Sequence, residues 1–213
     1  MTNIVIIGAG TAGTIMANRL RRLFAAQVAR RETSIVVIDG DAGHVYQPGL
    51  LFMPFGLLEE GQLVKPRRKQ LHRDVTFVRG TVNHVDVAAR EVHLPDRPPL
   101  AFDVLIVASG TRVVPEETEG LTGPGWGERT FEFYTLDGAA RLRDALAKFT
   151  GGRLVIDIVE MPIKCPVAPL EFAFLADWYF TQRGIRDRVD ITYVTPLEAP
   201  SPRPPARAPS PIS

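Results

Sequence analysis

Cysteine is almost missing from these 213 residues: Cys165 stands alone, which excludes an intrachain disulfide and any zinc site built from several cysteines. A lone thiol fits a reducing compartment. A surplus of one charge is lacking too. The 25 Lys+Arg and 24 Asp+Glu leave a formal charge of +1, without the basic excess or stripe expected of a nucleic-acid binder. No run approaches the ~18–20 apolar residues that cross a bilayer. Basic leader residues and a cleavage site are also absent, because Met1-Thr2-Asn3 runs straight into Ile4-Val5-Ile6-Ile7. The expected location is the cytoplasm or the cytoplasmic face of a membrane, since peripheral attachment needs only a surface patch. What is present, 45% hydrophobic and 23% charged residues, excludes wholesale disorder. The length admits one full domain plus a fragment, or one large domain.

The chain divides by composition into residues 1–150, where β-branched runs alternate with helical patterns, residues 151–197, a short strand–helix–strand series, and residues 198–213. The last 18 residues hold 7 of the 18 prolines, so an extended, mobile tail is expected there. Strands are expected at 4–7, 34–38 and 104–108, the last buried on both faces. A helix is expected over 12–31, where Ala12, Met16, Leu20, Leu23, Phe24 and Val28 recur at helical spacing. Residues 41–74 read as loop-rich, and 75–79, 82–87 and 90–94 as an antiparallel meander. Thr135 is a plausible N-cap for a helix over 136–149. Strand 153–159, helix 169–183 and strand 189–195 complete the pattern.

The chemistry begins at Gly8-Ala9-Gly10-Thr11-Ala12-Gly13, a GxGxxG between a strand and a helix. Gly8 permits the tight turn, Gly10 lets backbone amides approach a pyrophosphate, and Gly13 allows close strand–helix packing. The helix start adds free N–H groups and the positive end of a dipole. Asp39, at the end of the second strand and 26 residues beyond Gly13, can accept from ribose hydroxyls. Strand, loop, helix, strand and acid together indicate dinucleotide binding.

The segment Asp103-Val104-Leu105-Ile106-Val107-Ala108-Ser109-Gly110 resembles the second flavin-domain signature of flavoproteins with two dinucleotide-binding domains. That resemblance implies FAD on the first glycine loop, Ser109 and Gly110 close to the cofactor, and a β-meander before the signature. A partner for NAD(P)H is harder to find. Where a second glycine loop would follow strand 153–159, the chain has Glu160-Met161-Pro162-Ile163-Lys164-Cys165-Pro166-Val167-Ala168-Pro169, with no pyrophosphate cradle. The stretch from Pro162 to Pro169 resembles the cysteine motif of the sulfide:quinone oxidoreductase family. The three landmarks follow in that family's order over about residues 1–197. The fold so implied is α/β: a Rossmann-like FAD-binding domain with an inserted β-meander, plus a partial second α/β domain.

The resemblance implies FAD as cofactor, sulfide as electron donor, and a membrane quinone as acceptor. It makes Cys165 the group that carries the substrate sulfur. Lys164 beside it and the helix starting near Pro169 would favour the thiolate. The family's second redox cysteine, its later Gly-Asp segment and its amphipathic C-terminal helices have no counterpart here, and the likeness stops near Leu197. A truncated or frame-shifted product, only marginally stable, is therefore expected. Two other readings remain open: a type II NADH:quinone dehydrogenase, and an FAD-binding fragment without turnover. The His44-Val45-Tyr46-Gln47-Pro48 stretch reads as loop, Lys65, Arg67, Arg68 and Lys69 as a solvated basic face, and Phe172, Phe174, Leu175, Trp178 and Phe180 as core.

Overall fold

The computed structural model describes residues 1–196, so the proline-rich tail expected over 198–213 lies outside the described residues. The centre of the fold is β1 (Thr2–Ile7), flanked in parallel by β2 (Thr33–Asp39) and by β9 (Val104–Val107). A fourth strand, β5 (Thr76–Arg79), adds parallel to β2, giving the order β5-β2-β1-β9. The order reverses between β1 and β9, which places a ligand crevice at the carboxyl ends of those strands.

Alternation along β1 explains why its run Ile4–Ile7 is apolar without interruption. Ile4 and Ile6 pack with Ile35, Val37 and Ala17 under the first helix, α1 (Thr11–Leu23). Val5 points the other way and packs with Ile38, Val78, Val92, Leu94 and Phe102. That second face is covered by an antiparallel meander of β6 (His84–Asp86), β7 (Glu91–His93) and β8 (Leu100–Ala101).

Several expectations are corrected here. The helix expected over 12–31 breaks at Phe24, whose φ of −101° and ψ of 29° lie outside the helical well, and resumes as α2 (Ala25–Ala29). Leu20, Phe24 and Val28 still share one face across the break and pack against the same cluster. Strand 75–79 does not join the meander; it extends the parallel sheet, and the meander's third strand is 100–101. Period-two alternation reports a strand and its faces but not its partner. Strand 104–108 is not buried on both faces as expected: Leu105 on the meander side and Ile106 on the α1 side are only partly buried, and Val107 is 68% exposed. β9 is a sheet edge, and its ends lie beyond the cover of either layer. Residues 41–74 hold more structure than a loop: β3 (Gly43–Val45), 3-10 turns at Gln47–Leu51 and Met53–Phe55, α3 (Glu60–Leu63), β4 (Val64–Pro66) and α4 (Arg67–Gln70). β3 pairs antiparallel with β4, so His44-Val45 is strand.

The cysteine-bearing region is a parallel pair, β10 (Gly152–Asp157) and β11 (Val189–Val194), with α6 (Ala168–Gln182) against it. The helix α5 (Leu136–Lys148) also joins this region and starts at the expected cap, with the Thr135 hydroxyl accepting the Gly138 N–H at 3.0 Å. One apolar cluster unites Leu51 and Phe55 with Leu142 and Leu146 of α5, Phe172, Ala176 and Phe180 of α6, and Ile156 and Val189 of the strands. Residues on both sides of position 150 therefore share a core. Arg183, just past α6, donates to the Leu146 and Ala147 carbonyls at 2.6 and 3.1 Å, closing the last turn of α5.

The expected aromatic core of α6 is only half right. Phe172 and Phe180 are buried, but Phe174 is 70% exposed and Trp178 is partly exposed on the opposite side. This helix carries aromatic residues on both sides, so their spacing alone does not tell its inner face from its outer.

Phe180→Ala should lower the unfolding free energy by about 3–5 kcal/mol, because its ring is fully buried and stacks near Phe149 at 5.5 Å. Urea denaturation followed by circular dichroism reads this directly.

Candidate functional site

Three backbone segments converge at the carboxyl end of β1. Gly8 has φ of +99°, and a Cβ there would lie 2.2 Å from the Ala108 carbonyl oxygen and 3.0 Å from the Ser109 Cα. A Cβ on Gly13 would lie 1.8 Å from the Gly8 carbonyl oxygen. These two glycines are demanded by the protein's own packing. Gly10 is different: its backbone is extended, with φ −70° and ψ −166°, and a Cβ would meet nothing within 4 Å. Its missing side chain leaves open space in front of the helix rather than relieving an internal clash. That space suits a pyrophosphate.

Thr11 and Ala12 form the first turn of α1. No side chain caps this end, and no acidic residue lies in its first turn. The amides and the helix dipole thus remain free for an anion. Ser109 and Gly110, the latter at φ +74°, follow β9 directly beside Gly8. The structure brings these sequence-predicted positions to one edge of the sheet.

Asp39 is held rather than dangling. Its Oδ2 accepts the Ala9 N–H at 2.6 Å and its Oδ1 accepts the Asp41 N–H at 2.9 Å. The acid is thus tied to the glycine loop, with its side chain only 13% exposed.

One residue of the site escaped the sequence. Arg67 was expected on a solvated face with Lys65, Arg68 and Lys69, yet its side chain is 11% exposed and reaches into the loop. Its Nη1 donates to the Ala9 carbonyl at 2.5 Å and lies 3.5 Å from His44 Nδ1; its Nε is 3.4 Å from Asp39 Oδ1. The pairing of β3 with β4 carries Arg67 there, together with its own N–H bonded to the Ala42 carbonyl at 2.9 Å. A basic run gives no sign of which member will fold inward.

Cys165 is exposed and sits three residues before α6, with its carbonyl accepting from the Ala168 N–H at 3.3 Å and from the Tyr134 hydroxyl at 3.2 Å. Lys164, its neighbour, lines a cavity of about 310 Å³ with Gln47, Thr111, Arg112, Tyr134 and Leu136. Thr111 directly follows the Ser109-Gly110 turn, so this cavity links that edge of the sheet to the cysteine segment. Burial, then the nearby Cys165, Tyr193 and Glu132 charges, push the Tyr134 phenol up to about 12. It stays protonated and able to donate throughout the neutral range. Among the described residues no cluster of His, Cys, Asp and Glu is placed to hold a metal ion, and no helix is long and apolar enough to cross a membrane.

Gly10→Ala should keep the wild-type unfolding midpoint while weakening ADP binding about tenfold or more, since the methyl group fills ligand space only. Gly13→Ala should lose stability and ADP binding together. Thermal melts and calorimetric titration with ADP separate the two. Tyr134 makes a third expectation. Its raised pKa means that the unfolded chain releases this proton first, near pH ~10. The stabilisation from keeping the phenol neutral is present below that pH and is lost as pH rises through about 12. Alkaline unfolding monitored beside phenolate absorbance, in wild type and Tyr134→Phe, checks it.

Comparison with known proteins agrees with this geometry. The sulfide:quinone oxidoreductase of Dictyostelium discoideum mitochondria is 24% identical over 194 residues, which is 91% of this chain and 42% of that protein. The type II NADH:quinone oxidoreductase Ndh of Mycobacterium tuberculosis is 32% identical over 115 residues, covering 50% of this chain and 22% of its own. Among solved structures, the sulfide:quinone oxidoreductase of Aquifex aeolicus superposes with a TM-score of 0.75 at 22% identity, over 91% of this chain and 43% of that one. The chain thus spans about two fifths of the length of these sulfide:quinone oxidoreductases. The family model for pyridine nucleotide-disulphide oxidoreductases matches residues 2–156, from the first residue of β1 into β10. The chain belongs to the pyridine nucleotide-disulphide oxidoreductase family and carries its FAD-binding, Rossmann-like α/β fold.

Proposed function

We propose that this chain is the flavin-binding and sulfur-handling part of an oxidoreductase that takes electrons from sulfide and passes them to a quinone. The observation that carries the reading is the segment after β10. In place of a second glycine loop it presents an exposed cysteine, Cys165, flanked by Pro166 and by Lys164, which lines a cavity together with Thr111, the residue after the Ser109-Gly110 turn. The similarity to sulfide:quinone oxidoreductases also runs through that segment, covering 91% of the chain.

The residues present fit FAD. Gly8 and Gly13 allow the close backbone approach that shapes the loop, and Gly10 leaves open space in front of α1. The unencumbered start of α1 would take the pyrophosphate, and Asp39 would take the ribose hydroxyls. FAD, when bound, accepts a pair of electrons and returns them to a second substrate. The chain's own part centres on Cys165. Its Sγ would bond to the sulfide sulfur as a persulfide, a two-electron oxidation that releases one proton, for which FAD would be the acceptor and quinone the final acceptor. Lys164 would bring a positive charge to the cavity that it lines, where it would attract the incoming hydrosulfide anion. The Tyr134 hydroxyl holds the Cys165 carbonyl, so the cysteine segment keeps its place against the cavity. The acceptor being a membrane quinone, contact with a membrane surface follows as part of the proposal.

A type II NADH:quinone oxidoreductase is the second reading. It is favoured by the 32% identity to Mycobacterium tuberculosis Ndh, which covers only half of this chain. Absence of a glycine loop after β10 weighs against a nicotinamide site. Anaerobic additions to FAD-reconstituted protein separate the two. Sulfide should bleach the flavin absorbance in wild type and fail to do so in Cys165→Ser. Bleaching by NADH instead would favour the second reading, and no bleaching by either would leave a flavin-binding unit without turnover.

A further inference from the structure

Arg67 and Asp39 form a donor–acceptor pair on one carbonyl–amide unit of the glycine loop. Asp39 accepts the Ala9 N–H, and Arg67 donates to the Ala9 carbonyl, which also accepts from the Thr14 hydroxyl at 3.1 Å. Ala9 is therefore gripped from both sides between Gly8 and Gly10.

The guanidinium is not fully used by this grip. Its Nε lies 3.4 Å from Asp39 Oδ1 without hydrogen-bond geometry, and it is a buried donor with no acceptor among the described residues. Gln70 Nε2 is in the same condition, and both belong to the single turn α4. Both atoms are closed off from solvent, so the guanidinium nitrogen left to meet a ligand is Nη2, which lies 3.8 Å from Asp41 Oδ2 and makes no hydrogen bond among the described residues. That turn is also anchored. Asn18 of α1 donates to the Gln70 carbonyl at 2.8 Å and accepts the His72 N–H at 2.8 Å. Arg67 is thereby held at the site by its backbone and does not depend on a floppy surface side chain.

We propose that Arg67 is a specificity-determining cofactor residue that reads the adenosine ribose together with Asp39. A ribose 2′-hydroxyl is both donor and acceptor. Asp39 can only accept and Arg67 can only donate, so the pair offers that hydroxyl one partner of each kind. A deoxyribose satisfies neither, and it leaves the Arg67 Nη2 without an acceptor. Binding energy concentrated in this way discriminates sharply against the ligand that lacks the group. The inference rests on the dinucleotide reading of the glycine loop and adds a residue to it.

The test compares ADP with 2′-deoxy-ADP by calorimetry on the full chain. Wild type should prefer ADP about tenfold, equivalent to ~1.4 kcal/mol. In Arg67→Met the preference should fall to about threefold or less. Arg67→Lys keeps the charge but not the planar fork, so it should show the same loss and serves if the methionine variant does not fold. Arg68→Ala should leave the preference at its wild-type value, because that guanidinium only bonds the carbonyls of Leu71, His72 and Arg73. Equal weakening of both ligands in the Arg67 variants, with the ratio intact, would make Arg67 a mere prop of the loop and overturn the proposal alone. No ADP binding by wild type would overturn it together with the dinucleotide reading.

Discussion

Everything at the candidate site depends on how closely three stretches of main chain approach one another where β1 ends. Gly8 packs against Ala108 and Ser109, and Gly13 packs against Gly8, at distances that no Cβ could share. These contacts leave the chain little choice of path. They force the turn after β1, seat the first turn of α1 over it, and bring the end of β9 alongside. The crevice then lies where the strand order reverses, and its floor is backbone rather than side chain. Such a floor can face an anion with N–H groups that have no other partner.

The supporting layers serve that edge. β1 is clamped from both faces, by α1 and by the meander, so its carboxyl end has a defined height and direction. A separate core, built from Leu51, Phe55, α5, α6 and the β10–β11 pair, carries the cysteine segment. The cavity lined by Gln47, Thr111, Tyr134 and Lys164 lies between contributions from both regions. Lys164, next to Cys165, and Thr111, next to the Ser109-Gly110 turn, thus come to line one cavity.

Much of this was legible in the residues. The glycine loop, its acid, the buried β1 and β2, and the Thr135 cap all follow from local rules: a positive φ needs glycine, a doubly covered strand needs unbroken β-branched residues, and an N-terminal turn needs an acceptor. What was not legible depends on partners distant in sequence. β5 and the meander share one alternating pattern but take different neighbours. Arg67 differs from Arg68 only in the direction its turn faces, which Asn18 and the β3–β4 pairing decide. Phe172 and Phe174 look alike in sequence and end on opposite sides of α6.

That last helix has a further consequence. With Phe172 and Phe180 on one side and Phe174 and Trp178 on the other, turning α6 by half a revolution would exchange one set of aromatic rings for another of similar size. Transfer of apolar area from water is thus a weak guide to its rotational setting. Polar contacts at the far end add the asymmetry. Arg183 bonds the final carbonyls of α5, and Arg186 grips Asp177 at 2.5 Å on the same helix. The segment that carries Cys165 thus leads into a helix whose other end, more than fifteen residues along the chain, is pinned to α5.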